Sequence, residues 1–156
     1  MQVLEYLDKK GVLYRLCSHH PAFTAQHMAA YEHVPGMDVA KAVLIKADGR
    51  PYLCVIPACC KVDLEAVAVT VGAKEVTVAD EDELEKLCQA CPDCEVGAEP
   101  PFGDMFGLET IMDDSLGPDG YVLCPAGTHE LAVRMSVQDY QNLSHPRLAH
   151  ISYHLH

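Results

Sequence analysis

Apolar and polar positions recur along the chain with two different periods. In "MQVLEYLDKKG", Val3, Leu4 and Leu7 fall at helical spacing and Gly11 offers a stop. "VLYRLCSH" reads as a short strand, followed by Pro21. Thr24 is placed to cap a helix over "AQHMAAYEHV", and Val34-Pro35-Gly36 ends it, because a residue before proline avoids helical geometry. "DVAKAVLIKADGRPYLCVIPA" then predicts two strands joined at Asp48-Gly49, a strong hairpin signal. Arg50-Pro51 predicts a connection slightly longer than two residues. Successive side chains of a strand point to opposite faces, so Lys41 shares a side with Val43 and Ile45, and Ala42 with Leu44 and Lys46. An amine among Val and Ile must find a partner, snorkel to water or serve a site.

Further along, "VDLEAVAVTVG" is strand-like by its valines, yet Asp63 can cap and Gly72 can close a helix, which is the reading preferred over 63–71. A strand follows at 75–79. Asp80 with Glu83 forms a capping box for the helix "EDELEKLCQA". "CEVGAEPPFGDMFG" is irregular, and its glycines and prolines predict a loop of fixed shape. "LETIMDDSL" reads as a strand. "GYVLCPAGTHELAVRM" reads as two strands around Ala126-Gly127-Thr128, with His129, Leu131, Val133 and Met135 on one face of the second. Ser136 caps a last helix, "VQDYQNL", and residues 144–156 form a polar, histidine-rich tail. Helices interleaved with strands and at least two hairpins predict an α/β domain of α+β type, a mixed sheet with flanking helices.

Length sharpens this picture: 156 residues suit one domain spanning 1–156. No apolar run approaches the roughly 18 residues of a spanning helix, and charges occupy the N-terminal stretch where a signal peptide is apolar. A cytoplasmic location is expected. Eight cysteines in such a chain are read as reduced thiols, mostly small core residues. A net charge of −12 excludes a generally basic nucleic-acid binder. The charge is uneven, however. Residues 1–61 carry seven Lys/Arg against five Asp/Glu, and residues 62–156 carry four against eighteen. A polyanion would approach the N-terminal part.

Four places could carry chemistry. Lys41 is a cation at the edge of a strand, fit to meet a phosphate or a polarised carbonyl. The Gly97–Gly103 loop could aim backbone N–H groups at one point, as an oxyanion hole does, although Pro100 and Pro101 supply none. His129 begins a strand after a glycine that allows close approach. Cys88, Cys91 and Cys94 are spaced C-x-x-C-x-x-C but lack the second ligand pair usual for zinc, so no metal is expected. No Gly-x-Gly-x-x-Gly, Walker-type or Gly-x-Ser-x-Gly motif occurs, which weakens nucleotide-binding and hydrolase-elbow readings.

Four stretches taken in order, "HPAFTAQHMAAYEHVPGMDVAKAVLIKADG", "LCVIPACCKVDLEAV", "VGAEPPFGDMFGLETIMDDSL" and "AGTHELAVRMSVQDY", resemble the YbaK/proline–tRNA ligase-associated family of aminoacyl-tRNA deacylases. The likeness is greatest to its free-standing single-domain members. The resemblance implies a curved, barrel-like mixed sheet and hydrolysis, in trans, of the ester joining a small misattached amino acid to tRNA, proline-type tRNA first. It implies catalytic roles for Lys41, Gly97, Ala98 and Glu99. It implies substrate contacts from His20, Thr24, Pro101, Phe102, Gly103, Gly127 and His129. The implied partners are the acceptor end of a mischarged tRNA and, as an option, an aminoacyl-tRNA synthetase, with no membrane, no DNA, no metal and no cofactor. The alternative is a non-catalytic module of the same fold that binds tRNA or an aminoacyl ligand.

Overall fold

The computed structural model describes residues 2–18, 29, 34–89, 91, 94–95 and 98–154. Helix α1 spans Gln2–Lys9 and buries Val3 and Leu7, one turn apart on a single face. Strand β1 is Arg15–Ser18. The helix expected after Thr24 lies outside the described residues, save Ala29, which is helical and buried. A 3-10 turn at Gly36–Asp38 leads into β2 (Ala40–Ala47), β3 (Arg50–Pro57) and β4 (Cys60–Val62).

The β2–β3 connection is shorter than the sequence suggests. Ala47 pairs with Arg50, so only Asp48 and Gly49 turn the chain, with φ of 50° and 85°. Positive φ at both central residues matches the twist of the flanking strands. Pro51 sits opposite Lys46, one step beyond the closing pair, where no hydrogen bond to the partner strand is lost. The Asp48 carboxylate also accepts from the backbone N–H groups of Lys74 and Glu75.

Competition between helix and strand over 63–71 is decided by caps. Asp63 accepts from the Ala66 N–H at 3.1 Å, Gly72 adopts a left-handed φ of 72°, and α2 spans Leu64–Val71 between them. Strand β5 (Val76–Val78) precedes α3 (Glu81–Cys88), whose Asp80/Glu83 capping box is formed in both directions. After a 3-10 turn at Gly103–Phe106 come β6 (Glu109–Asp113), β7 (Tyr121–Pro125) and β8 (Leu131–Ser136). Ser136 caps α4 (Val137–Ser144) by accepting from the Asp139 N–H at 3.0 Å.

The residues read as a polar tail are ordered strands. β9 (Arg147–Ala149) runs parallel beside β6, and β10 (Ser152–His154) antiparallel to β4. Ile151 between them is fully buried, and its N–H donates to the buried Asp113 carboxylate at 2.8 Å. Arg147 ties the segment to Glu109 through two guanidinium nitrogens.

The fold is a mixed α/β arrangement in which strands form three ladders, ordered β5-β2-β3-β6-β9, β1-β8-β7 and β10-β4. A single parallel bridge, Val39 to Leu123, links the first two, and the sheet is not closed into a barrel among the described residues. One face of the five-stranded sheet packs Ile45, Cys54, Ile56 and Ile111 against Val67 of α2 and Ile151. The other packs Ala40, Val55 and Met112 against α1, α4 and the three-stranded sheet. Burial on both faces explains why β3 is an unbroken apolar run from Tyr52 to Pro57 rather than an alternating one. No described helix is long and apolar enough to cross a membrane.

Candidate active site

Strand alternation places Lys41 beyond Val43 on the face that α2 covers, opposite Ile56 of β3. The half-buried amine finds its partner in the main chain, donating to the Cys60 carbonyl at 2.7 Å. Burial holds its pKa below the usual lysine value, because a desolvated ammonium is disfavoured; the neighbouring Cys60 and Cys59 partly offset this.

Beside Lys41 lies a cavity of about 290 Å³. It is lined from β2 by Lys41, Ala42 and Leu44, from α3 by Glu81 and Leu84, from the loop by Glu99 and from β7 by Pro125. An ion pair between Lys46 and Glu83 fastens α3 over β2. Lys41 and Glu99, 58 positions apart in the chain, thus both line one hollow, while the Lys41 amine itself is held by the Cys60 carbonyl. Glu99 is buried, and together with Glu85 it adds to the burial that raises the Cys88 thiol to about 11.

The loop before Glu99 is fastened to the β7–β8 turn. Gly127, at φ 92°, donates its N–H to the Ala98 carbonyl at 3.1 Å and accepts from the Glu95 N–H. A Cβ at Gly127 would sit 3.3 Å from Cys94 Sγ and 3.4 Å from Val3, so glycine permits the close approach. His129 does not begin a strand; β8 starts at Leu131. It lies buried in the turn, where its N–H donates to Glu95 at 3.1 Å and its Nε2 stands 4.0 Å from the other oxygen of that carboxylate. Glu95 thus holds His129, a contact that the sequence reading missed. Its charge alone gave no signal, since its partner lies 34 positions away.

Other residues expected at the site do structural work. Ala98 already donates its N–H to the Glu95 carbonyl at 3.0 Å. Phe102 is fully buried, its ring tilted against those of Tyr6 and Tyr140 at centroid distances of 5.5 and 5.7 Å. The Pro101 carbonyl accepts from the buried Tyr140 hydroxyl. Gly103 donates to Thr110 Oγ1 at 2.9 Å, and a Cβ there would lie 2.6 Å from the Leu108 carbonyl oxygen. Gly97, His20 and Thr24 lie outside the described residues. The sequence reading in turn missed Ala42, Leu44, Leu84 and Pro125 as cavity walls. Alternation with Lys41 marks the first two as one face, but nothing local brings α3 or β7 to them.

The cysteine reading is corrected in one respect. Cys91 and Cys94 form a disulfide, while Cys17, Cys54, Cys59, Cys60, Cys88 and Cys124 are free. Burial pushes the Cys54 thiol up to about 12 and raises Cys124 as well.

Comparison with known proteins agrees with this architecture. The hypothetical protein APE2540 superposes with a TM-score of 0.87 at 20% identity, over 98% of this chain and 100% of its own. A candidate trans-editing enzyme for prolyl tRNA synthetase superposes with a TM-score of 0.84 at 19% identity, over 97% of this chain and 95% of its own. Within a signal-transduction candidate from Marinobacter aquaeolei VT8 the likeness covers 97% of this chain but 30% of that one, with a TM-score of 0.76 at 15% identity. These likenesses concern the fold. Among curated protein sequences, none matches this chain. The aminoacyl-tRNA editing domain profile matches residues 19–143, a span that includes Lys41, the Gly97–Gly103 loop and His129, and the chain belongs to that family.

Proposed function

We propose that the protein is an aminoacyl-tRNA deacylase acting in trans, which hydrolyses the ester of a small misattached amino acid, with proline-type tRNA its first candidate substrate. The observation that carries this reading is the pairing of Lys41 and Glu99 on one hollow of about 290 Å³. That size is at the small end of ligand pockets, and its walls are proposed to favour small side chains, so that the hollow acts as a second sieve. Water adds to the ester carbonyl carbon and the carbonyl electron pair moves onto oxygen. Lys41 would stabilise that oxyanion, together with the Gly97 amide that the family resemblance implies. Collapse expels the ribose oxygen, which takes up a proton, and frees the amino acid. Activation of the water is assigned to the substrate, whose neighbouring ribose hydroxyl is proposed to orient it. The Glu99 carboxylate, with several acceptor sites, would receive the α-ammonium of the aminoacyl group.

One observation favours the alternative, a non-catalytic module that binds tRNA or an aminoacyl ligand. The Ala98 and Gly103 amides, two of the expected oxyanion donors, are already bonded within the protein. A hydrolysis assay on a panel of mischarged tRNAs separates the two readings. The deacylase releases at least one small amino acid, and Lys41→Ala lowers kcat/KM about 100-fold or more. Binding without hydrolysis across the panel establishes the module instead.

A further inference from the structure

The hollow beside Lys41 carries two carboxylates, Glu81 and Glu99. An RNA end placed there needs its phosphates held elsewhere, and residues 62–156 are strongly acidic. One arrangement on the three-stranded sheet answers this need. Arg15 of β1 and Arg134 of β8 are direct cross-strand partners, and both are exposed. Directly opposed side chains lie on the same face with Cβ atoms about 5 Å apart, where like charges repel. Among the described residues neither guanidinium forms an ion pair with a carboxylate. Arg134 lies 3.7 Å over the Tyr121 ring, which fixes its plane and leaves its N–H edge for a ligand. The pair borders a groove of about 580 Å³ with Tyr14, Tyr121, Ser136 and Asp139.

The groove also aligns with the proposed site. Tyr121 and Pro125 stand four residues apart on one face of β7, a separation of about 13 Å, and Pro125 is a wall of the Lys41 hollow. Leu123, which shares that face between them, is buried with Val39, Ala58 and Ala132, so an extended single strand of a few nucleotides would pass around this packed patch. Carboxylates bound the approach: Asp139 lines the groove, and Asp38 and Asp119 act on Tyr121.

We propose that Arg15 and Arg134 together bind a backbone phosphate of the RNA whose end enters the Lys41 hollow, a reading that rests on the function proposed above. The test uses labelled bulk deacylated tRNA, followed by fluorescence anisotropy over a salt series. The double variant Arg15→Gln/Arg134→Gln is expected to bind several-fold more weakly, and the slope of log affinity against log salt to shrink by about 1. Arg15→Lys, which keeps the charge, is expected to retain the wild-type slope. Arg15→Gln alone, on an exposed side chain, guards against a folding defect and is expected to show an intermediate loss at an unchanged or raised Tm. Wild-type binding matched by the double variant in affinity and slope overturns the phosphate site and leaves the deacylase reading standing. No binding of deacylated tRNA by the wild type also overturns the phosphate site, while the hydrolysis panel on mischarged tRNAs decides the deacylase reading separately. Saturation by inorganic phosphate in the absence of any tRNA effect also overturns the RNA assignment.

Discussion

A lysine whose amine is half withdrawn from water and bonded to a peptide carbonyl is not an ordinary surface lysine. Withdrawal disfavours the charged form, so the Lys41 amine loses its proton at lower pH than a solvated lysine, whose value is about 10.4. NMR titration of the Lys41 amine is expected to show a midpoint below that value, and an ordinary midpoint would contradict the desolvation described above. In the deacylase the oxyanion-stabilising charge would fade over the same range as pH rises. The sequence exposed this residue because strand alternation put it beside Val43 and Ile45. Its partner was hidden, since a carbonyl 19 positions away has no sequence signature. Glu95 and Phe102 teach the same lesson in opposite directions. One gave no signal of its own and fastens His129, while the other was a substrate contact by resemblance and fills the core between two tyrosines.

Elements were legible where their ends carry their own chemistry. Asp63 and Gly72 decide α2, Asp80 with Glu83 starts α3 and Ser136 starts α4, all through contacts within a few residues. Replacement of Asp63 by Ala is expected to cost about 1 kcal/mol, read from the midpoint of chemical denaturation. The backbone N–H of residue 63, which donates to the Ile151 carbonyl at 2.6 Å, is untouched by that change. Strands β9 and β10 were illegible because each has three residues with a polar pattern and pairs with a strand far back in the chain. The β2–β3 turn was read one step too long, because Arg50-Pro51 looks like loop by composition while its position in the ladder tolerates proline.

At the scale of the whole molecule, the C-terminal residues close one side of the fold. Ile151 fills the space between β3, β6 and α2, and Asp113 holds it by accepting its N–H. Ile151→Ala is expected to cost about 3 kcal/mol, measured by denaturant unfolding, through lost burial and the cavity left behind. The family resemblance made the mixed α/β architecture foreseeable, but not the open edge between the ladders. Joining residue 41 to residue 99 is a tertiary event, and a linear pattern of polar and apolar positions contains no trace of it.

The acceptor that steadies the Lys41 amine is a carbonyl of the main chain at residue 60. Every amino acid brings that oxygen, so the tether cannot be deleted by exchanging the Cys60 side chain for another of similar size. Whoever wishes to uncouple the amine must displace the backbone of β4 itself, and with it the strand that ends in His154.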